Sequence, residues 1–580
     1  MIFVLNFANC YQINILAQYN FMRIILALVL LLTSTLQSQN IYPQDYFSSP
    51  LDIPLVLSGT FAELRSNHFH SGMDIKTQQR TGLKVKAAAS GYVSRIKISH
   101  YGYGKALYIT HPNGYTTVYA HLNRFAPEIE RYIKTLQYKK ESYEVETFPK
   151  PDELLVTKGN LVAYSGNSGG SGGPHLHFEI RDNAERPINP MLFGIDIKDS
   201  KLPTITSIYA YPLDDNSYVN NSSQKQNLTL IPLKNGDYMV KNIEAFGNIG
   251  FGITTWDRQD LAANKNGVYN IQTFVNGSKN FELDFKRFSF DETKHINQLI
   301  DYKHFRTKRQ RIQKLFRINN PLSIYKNMYK DGVVTIEDST YSVYKIKVSD
   351  FKNNTSWVTI SVKGKKNTTH TSTTKPKTPY YIYADKSTAL KEKGIGVTIF
   401  PNTFYEDFYM NFEVNADTLK LHKDVLPLKK SVKIAYDISK YNTEDKNKLY
   451  IARLSGYKKT PYYTFTKREG DTLSTFTKKL GTYALAMDNE KPTISPVNFK
   501  KGQWLSKYRY LKLKIDDKIS GISNYRATVN GKWILMEYYK GTYTYDFNDG
   551  IVTDTKNNLK VVVTDNVGNS ATFETIFYRK

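Results

Sequence analysis

Between residues 50 and 124, and again from 154 to 182, apolar and polar positions alternate in short runs broken by Gly, Pro and Asn. A period of two residues marks strands that bury one face. Ala106-Leu-Tyr-Ile-Thr110, the turn His111-Pro-Asn-Gly114 and Tyr115-Thr-Thr-Val-Tyr-Ala-His121 together predict a β-hairpin. Residues 125–153 are charged and partly helical in pattern, and strand-like runs punctuated by Gly, Asn and Asp continue to the C-terminus. The expected fold is therefore all-β dominated.

Three anchors recur in one order. Lys201-Leu-Pro-Thr-Ile205 returns as Glu490-Lys-Pro-Thr-Ile494, Val275-Asn-Gly277 as Val529-Asn-Gly531, and Val348-Ser-Asp-Phe-Lys-Asn-Asn-Thr355 as Val563-Thr-Asp-Asn-Val-Gly-Asn-Ser570. Two copies of a β module follow from this. The first, residues 197–364, carries an insertion near 285–340; the second, residues 488–580, has the roughly 100-residue size of an immunoglobulin-like sandwich. A Thr/Lys/Pro-rich stretch at 365–379 reads as a linker or exposed loop, and residues 380–487 as a further β-rich module, giving two or three β-sandwich modules after an N-terminal domain at 39–196.

At 580 residues, 40% hydrophobic and 13% aromatic, the chain can bury several cores and is too rich in bulky side chains to be disordered. Met22-Arg23, the apolar Ile24 to Leu32 and the small, polar Thr33 to Ser38 have the layout of a secretory signal, with Met22 as the expected true start of a signal region spanning 1–38. Cys10, the single cysteine, would then be lost on cleavage, so metal ligands must come from His and carboxylates. No later apolar run approaches the length of a membrane helix, so no transmembrane anchor is expected in the mature protein. The formal charge of +26 is uneven: residues 39–196 carry 17 basic and 15 acidic side chains, residues 197–580 carry 61 and 38. With an export signal, this favours anionic envelope polymers over nucleic acid as partners of the basic C-terminal region. The run Lys303 to Arg317, with seven Lys or Arg, is either a solvated insertion or such a contact.

Seven of the 11 histidines lie between His68 and His177. In His175-Leu176-His177-Phe178-Glu179-Ile180-Arg181, strict alternation puts two imidazoles side by side on the face opposite Leu176, Phe178 and Ile180. In Asn67-His68-Phe69-His70-Ser71-Gly72-Met73-Asp74, a His and a carboxylate stand four residues apart, and Tyr119-Ala-His121-Leu122 adds a third imidazole source. One nitrogen and one oxygen from the second cluster plus one nitrogen from the His-x-His strand make three protein ligands, the open plan of a hydrolytic zinc site. The same set also suits non-haem iron, although two additional histidines fit hydrolysis better. Glu179 shares the site face and either orients a ligand imidazole or pairs with Arg181. His68 is a weaker candidate for a place behind the ligands. The glycine-rich Ser165 to Gly173 lacks the marks of a phosphate loop and suits a flexible groove wall.

This wording, His-x3-Asp with an isolated His and His-x-His, resembles the lysostaphin-type (LytM-like) zinc metallopeptidases over about residues 50–195. The resemblance implies an antiparallel β-sheet/barrel-type domain with the duplicated hybrid motif, one Zn2+ held by His70, Asp74 and His177, and catalytic histidines His121 and His175. It implies an exported endopeptidase, in the periplasm, cell envelope or outside the cell, acting on the peptide cross-links of peptidoglycan. A silent domain that activates another wall hydrolase, and a zinc endopeptidase for secreted proteins, are the alternatives. The segment Ala126 to Glu153 departs from the family pattern, and the sequence leaves open whether it narrows or caps the groove.

Overall fold

The computed structural model describes residues 42–366 and 377–580. The signal-like run and residues 367–376 of the Thr/Lys/Pro stretch lie outside the described residues. Among these, four large hydrophobic cores succeed one another along the chain, each wrapped by β-sheet, and no helix is long and apolar enough to cross a membrane.

In the N-terminal domain the strands are β1 (Leu57–Gly59), β2 (Met73–Lys76), β3 (Lys84–Lys86), β4 (Gly91–Ile98), β5 (Lys105–Thr110), β6 (Thr116–Ala120), β7 (Arg124–Phe125), β8 (Val145–Thr147), β9 (Leu155–Val156), β10 (Leu161–Tyr164), β11 (His175–Arg181) and β12 (Pro187–Ile188). The main antiparallel sheet runs β1-β2-β11-β6-β5-β4-β8, with β12 on β11 and β9 on β4; β3-β10-β7 form a second, smaller sheet. The period-two pattern sorts the main sheet's faces: Leu107, Ile109, Tyr119, Leu176, Phe178 and Ile180 enter the core, and the other face carries the histidines over a small patch of Ala106, Tyr108, Val118 and Ala120. Register sets His177 opposite both Asp74 on β2 and Ala120 on β6.

The helix Pro127–Lys140 forms with Pro at its first turn, acidic residues near its start and lysines at its end. Its Ile129 and Ile133 enter the N-terminal core, and the following β8 pairs with β4, at the edge of the main sheet opposite β1 and β2. The segment Ala126 to Glu153 thus places its strand at the edge of the sheet away from β2 and β11. It also meets the last module: Tyr138 packs edge-on against Trp533 at 5.2 Å, its hydroxyl donates to Asp549, and Glu141 pairs with Arg526.

Both β modules share one pairing scheme. Asn270–Val275 and Ser278–Asp284 form a hairpin about Asn276-Gly277, and Asn270–Val275 also pairs with Tyr341–Ser349, which turns back into Thr355–Gly364. In the last module Ile522–Val529, Lys532–Trp533, Lys556–Asp565 and Ser570–Tyr578 repeat that order. In the first copy the 19-residue strand Tyr238–Trp256 bends, pairing in parallel with Thr355–Gly364 and then antiparallel with Thr204–Pro212. Residues 380–487 form two five-stranded sheets about their own core.

The cores trade residues. Phe61, Ala62 and Phe69, from the loop between β1 and β2, belong to the core of the first β module, where Phe69 meets Phe288 at 5.2 Å. Trp533 and Leu535 of the last module enter the N-terminal core. Within the basic run, Arg306 pairs with Asp424 of the middle module and Arg317 with Asp331, while Arg311 lies over Phe305. Part of that run therefore serves internal packing. Because Phe69 is 1% exposed, Phe69→Ala is expected to destabilise the chain by about 3–5 kcal/mol and to lower the first denaturation midpoint in urea. An unchanged midpoint would show that the loop does not lean on the module.

Candidate metal centre

Three chain segments meet at one point. His70 ends the loop after β1, Asp74 lies on β2, and His177 lies on β11 directly across from it. His70 Nε2 stands 3.0 Å from Asp74 Oδ1 and 3.1 Å from His177 Nδ1, and His177 Nδ1 stands 2.9 Å from the same Asp74 oxygen. The other ring nitrogens are committed: His70 Nδ1 donates to the Thr60 carbonyl at 2.7 Å, and His177 Nε2 donates to Glu179 Oε1 at 2.7 Å. In the neutral tautomers this leaves three lone pairs, two nitrogen and one oxygen, aimed at one another. Such a set repels itself until a proton or a cation joins it. Ligands of a tetrahedral ion at about 2.0–2.1 Å stand roughly 3.3 Å apart, so the triangle accepts such an ion after opening by a few tenths of an ångström.

Glu179 anchors this arrangement. Fully buried, it accepts from His177 and from Ser71 at 2.7 Å, from the Tyr103 hydroxyl, and from Arg181 Nε at 2.6 Å. It thus both orients the imidazole and pairs with Arg181. Burial opposes its ionisation, but Arg181 and His177 hold its carboxyl well below the usual range. Tyr103 also stacks on His177 at 5.1 Å. Gly72 makes room: a Cβ there would come within 2.3 Å of the Phe178 carbonyl oxygen and 2.8 Å of Glu179 Cγ. Burial would likewise raise Asp74, yet positive charge on His70 and the hydrogen bonds that His175, His177 and His70 donate once those rings take a second proton hold it well below its ordinary value. Its second oxygen accepts from Arg65 at 3.1 Å.

His121 and His175 stand beside this triangle, ring centroids 4.7 Å apart. Each fixes Nδ1 on a backbone carbonyl of the glycine-rich loop, His121 on Ser168 at 2.9 Å and His175 on Gly173 at 2.8 Å. Both Nε2 atoms are thereby left as acceptors, and that of His175 lies 3.4 Å from Asp74 Oδ1. Burial, then the neighbouring His177 and His175 charges, pushes His121 down to about 3, so it is neutral at ordinary pH. Gly166 lets the loop approach this closely, since a Cβ would meet the Leu122 and Asn123 backbone within 2.5 Å. The loop's Asn167 donates to the Tyr539 hydroxyl of the last module at 2.8 Å.

The five residues His70, Asp74, His121, His175 and His177 are thus brought together, with Glu179 behind them. His68 is not: it is exposed and hydrogen-bonds only within its own loop, to Ser66 at 2.9 Å. Sequence reasoning passed over Tyr103, Ser71, Arg65 and Tyr539. Ser71 sits inside the quoted motif and is the one that local spacing could have flagged; the others meet the site only through the fold.

The family model described as Peptidase family M23 matches residues 68–138, which include His70, Asp74 and His121. The chain carries a peptidase family M23 domain. A Zu5-like domain model matches residues 379–488, the middle module. The DD-carboxypeptidase/endopeptidase Mpg of Neisseria meningitidis serogroup B is 33% identical over 128 residues, 22% of this chain and 23% of that one. The chain therefore spans about a quarter of the length of such relatives. Among solved structures, the catalytic domain of the antimicrobial peptidase lysostaphin from Staphylococcus simulans is 23% identical, covering 23% of this chain and 87% of that one at a TM-score of 0.17. A zinc containing peptidase from Vibrio cholerae is 25% identical, covering 27% and 41%, at a TM-score of 0.20.

Two outcomes are expected of the M23 domain's ligand set. Glu179→Gln should weaken metal binding about 10–100-fold, read by competition with a chromophoric chelator. In the metal-free chain burial would lower His177, but its hydrogen bonds to Asp74 and Glu179 push it up to about 9. That proton's stabilisation is therefore complete below pH 6.5 and lost as pH rises through about 9. Metal must displace the proton, so affinity should rise about tenfold per pH unit up to pH 9. A flat affinity from pH 7 to 9 would contradict the protonated resting state.

Proposed function

We propose that the chain is a zinc metalloendopeptidase, exported to the cell envelope, that hydrolyses peptide cross-links of bacterial peptidoglycan. The observation that carries this reading is the convergence of three lone pairs, from His70 Nε2, Asp74 Oδ1 and His177 Nδ1, beside two further imidazoles whose Nε2 atoms are left as acceptors. Zinc, when bound there, supplies Lewis acidity and a water whose pKa falls from 15.7 to about 7.

The chain's own groups do the rest. Neutral His121 accepts a proton at Nε2 and passes it on to the leaving amine, and His175 steadies the negative charge that develops on the scissile carbonyl oxygen. Glu179 holds the His177 ring in its tautomer and direction. The glycine-rich loop carries the carbonyls that aim both imidazoles, and Tyr539 braces that loop from the last module. The D,D-specificity in the name of the Neisseria relative supports peptides containing D-residues as substrate class, which is the chemistry of peptidoglycan cross-links. The two β modules and the Zu5-like region would hold the M23 domain, taken as residues 39–196, against the wall. A cavity of about 610 Å3 beside Asn67, lined by Arg309, Arg453, Lys478, Lys479, Phe465 and Tyr462, supports a contact with an anionic polymer strand.

The full-length chain should release muropeptides from purified peptidoglycan. His177→Ala should lose both metal and release, whereas His121→Ala should keep its metal and slow release about 10²–10⁴-fold. Metal binding without any release would favour the silent, activating alternative, and cleavage of casein in preference to peptidoglycan would reassign the substrate to secreted proteins. Reversing charge at Arg309 and Lys478 should reduce co-sedimentation with envelopes while leaving hydrolysis of a soluble peptide unchanged; undiminished sedimentation would remove the polymer contact from the proposal.

A further inference from the structure

A second cluster of possible metal ligands lies where the chain leaves the M23 domain. Asp199 precedes the strand Thr204–Pro212, Asp257 follows Tyr238–Trp256, and Asp350 opens the turn between Tyr341–Ser349 and Thr355–Gly364. One carboxylate oxygen from each lies within 4.8 Å of the other two. Asp257 and Asp350 are each 3% exposed. All three line a cavity of about 20 Å3, shared with Thr60 and Asn189 of the M23 domain and Gln259 of the first β module. That volume admits one water or one small ion.

Three carboxylates in so small a space need an opposing charge or a shared proton, and Asp199 and Asp257 are hydrogen-bonded to each other through such a proton in the cation-free chain. The nearby lysines are directed elsewhere: Lys352 pairs with Asp196, and Lys201 donates to the carbonyls of Gln259 and Asp260 at 3.3 and 3.4 Å. Asp257 Oδ1 is buried with no hydrogen-bond partner, an orphan acceptor on a residue that lines the cavity. Burial, then the charges of Asp199 and Asp350, pushes Asp257 up to about 8. Hard cations of the calcium class take carboxylate and carbonyl oxygens at 2.3–2.6 Å, so that oxygens on one ion stand at most about 5 Å apart. The triad meets that limit, and its all-oxygen chemistry separates it from the nitrogen-rich catalytic centre.

The same arrangement recurs in the last module at positions matched by the internal repeat. Asp488 precedes Thr493–Pro496, Asp517 follows Tyr510–Asp516, and Asp565 ends Lys556–Asp565 before the turn into Ser570–Tyr578. Their ligand atoms also lie within 4.8 Å of one another, with Asp488 and Asp565 at 0% and 2% exposure. Ser520, whose amide donates to Asp488 at 3.1 Å, leaves its buried Oγ without a partner. Each triad thus stands at the start of a repeat module, where the chain passes from the preceding domain.

We propose that Asp199, Asp257 and Asp350 bind a calcium-class divalent cation that locks the M23 domain onto the first β module, and that Asp488, Asp517 and Asp565 bind a second where the last module begins. This inference is independent of the proposed activity.

The test uses the full-length chain, stripped on a chelating resin and reloaded with one equivalent of zinc. After gel filtration in millimolar CaCl2, elemental analysis should find two calcium ions per chain, one in Asp257→Asn, one in Asp565→Asn and none in the double variant, with zinc unchanged. Calcium should raise the first melting transition of the wild type by about 5 °C, and that rise should vanish in Asp257→Asn. Should Asp257→Asn fail to fold, the half-buried Asp199→Asn takes its place. No retained calcium and no thermal shift in the wild type would overturn the proposal, as would variants that bind like the wild type. Calcium lost only in Asp257→Asn would uphold the first site and overturn the second.

Discussion

The carboxylate of Glu179 has no contact with water, and a buried anion of this kind is tolerable only when every lone pair is met and an opposite charge stands close. Here Arg181 supplies the charge and Ser71, Tyr103 and His177 the hydrogen bonds. Much of the local design follows from meeting that demand. Gly72 lets β2 approach within reach, Tyr103 closes over the imidazole, and the alternation of β11 delivers His177 and Arg181 to the same side as Glu179. The carboxylate in turn decides which nitrogen of His177 faces Asp74, and so what kind of ligand the site presents.

The rest of the site depends on elements outside its own sheet. His70 belongs to a loop whose Phe61 and Phe69 are anchored in the neighbouring module's core, and the Phe69 amide is held by Thr293 at 2.7 Å. The M23 domain is therefore an incomplete solid by itself: one edge of its His70 loop is packed by the first β module and the glycine-rich loop is braced by the last. The segment Ala126 to Glu153 takes part in this scheme as a docking face, with Tyr138 between Trp533 and Asp549.

What the sequence made legible was whatever repeats locally or forms a short motif. Period-two alternation is enough to place His175 and His177 on one face, and the recurring Asn-Gly and Asp-centred turns are enough to reveal the paired modules. The glutamate's double attachment was open in the sequence because either partner lies only two residues away on the same strand. Tyr103, Arg65 and Tyr539 were not legible. Each acts across a register or an interface that the chain builds only after folding, and one Tyr among 44 carries no mark of its own. The basic run Lys303 to Arg317 looked like a uniform patch, yet burial divided it, turning Arg306 toward Asp424 and Arg317 toward Asp331.

Asn167 and Tyr539 are 372 positions apart, and Lys105 reaches across 432 to Glu537 at 3.0 Å. Closing loops of such span is slow, although the entropic cost grows only with the logarithm of length. A chain delivered N-terminus first therefore has His70, Asp74 and His177 early and the brace on its glycine-rich loop late, when the final hundred residues have folded back. Biosynthetic order thus has a structural consequence: a chain truncated by stalling or clipping lacks the Tyr539 brace on its glycine-rich loop, so the loop that aims His121 and His175 is held from both sides only in completed molecules.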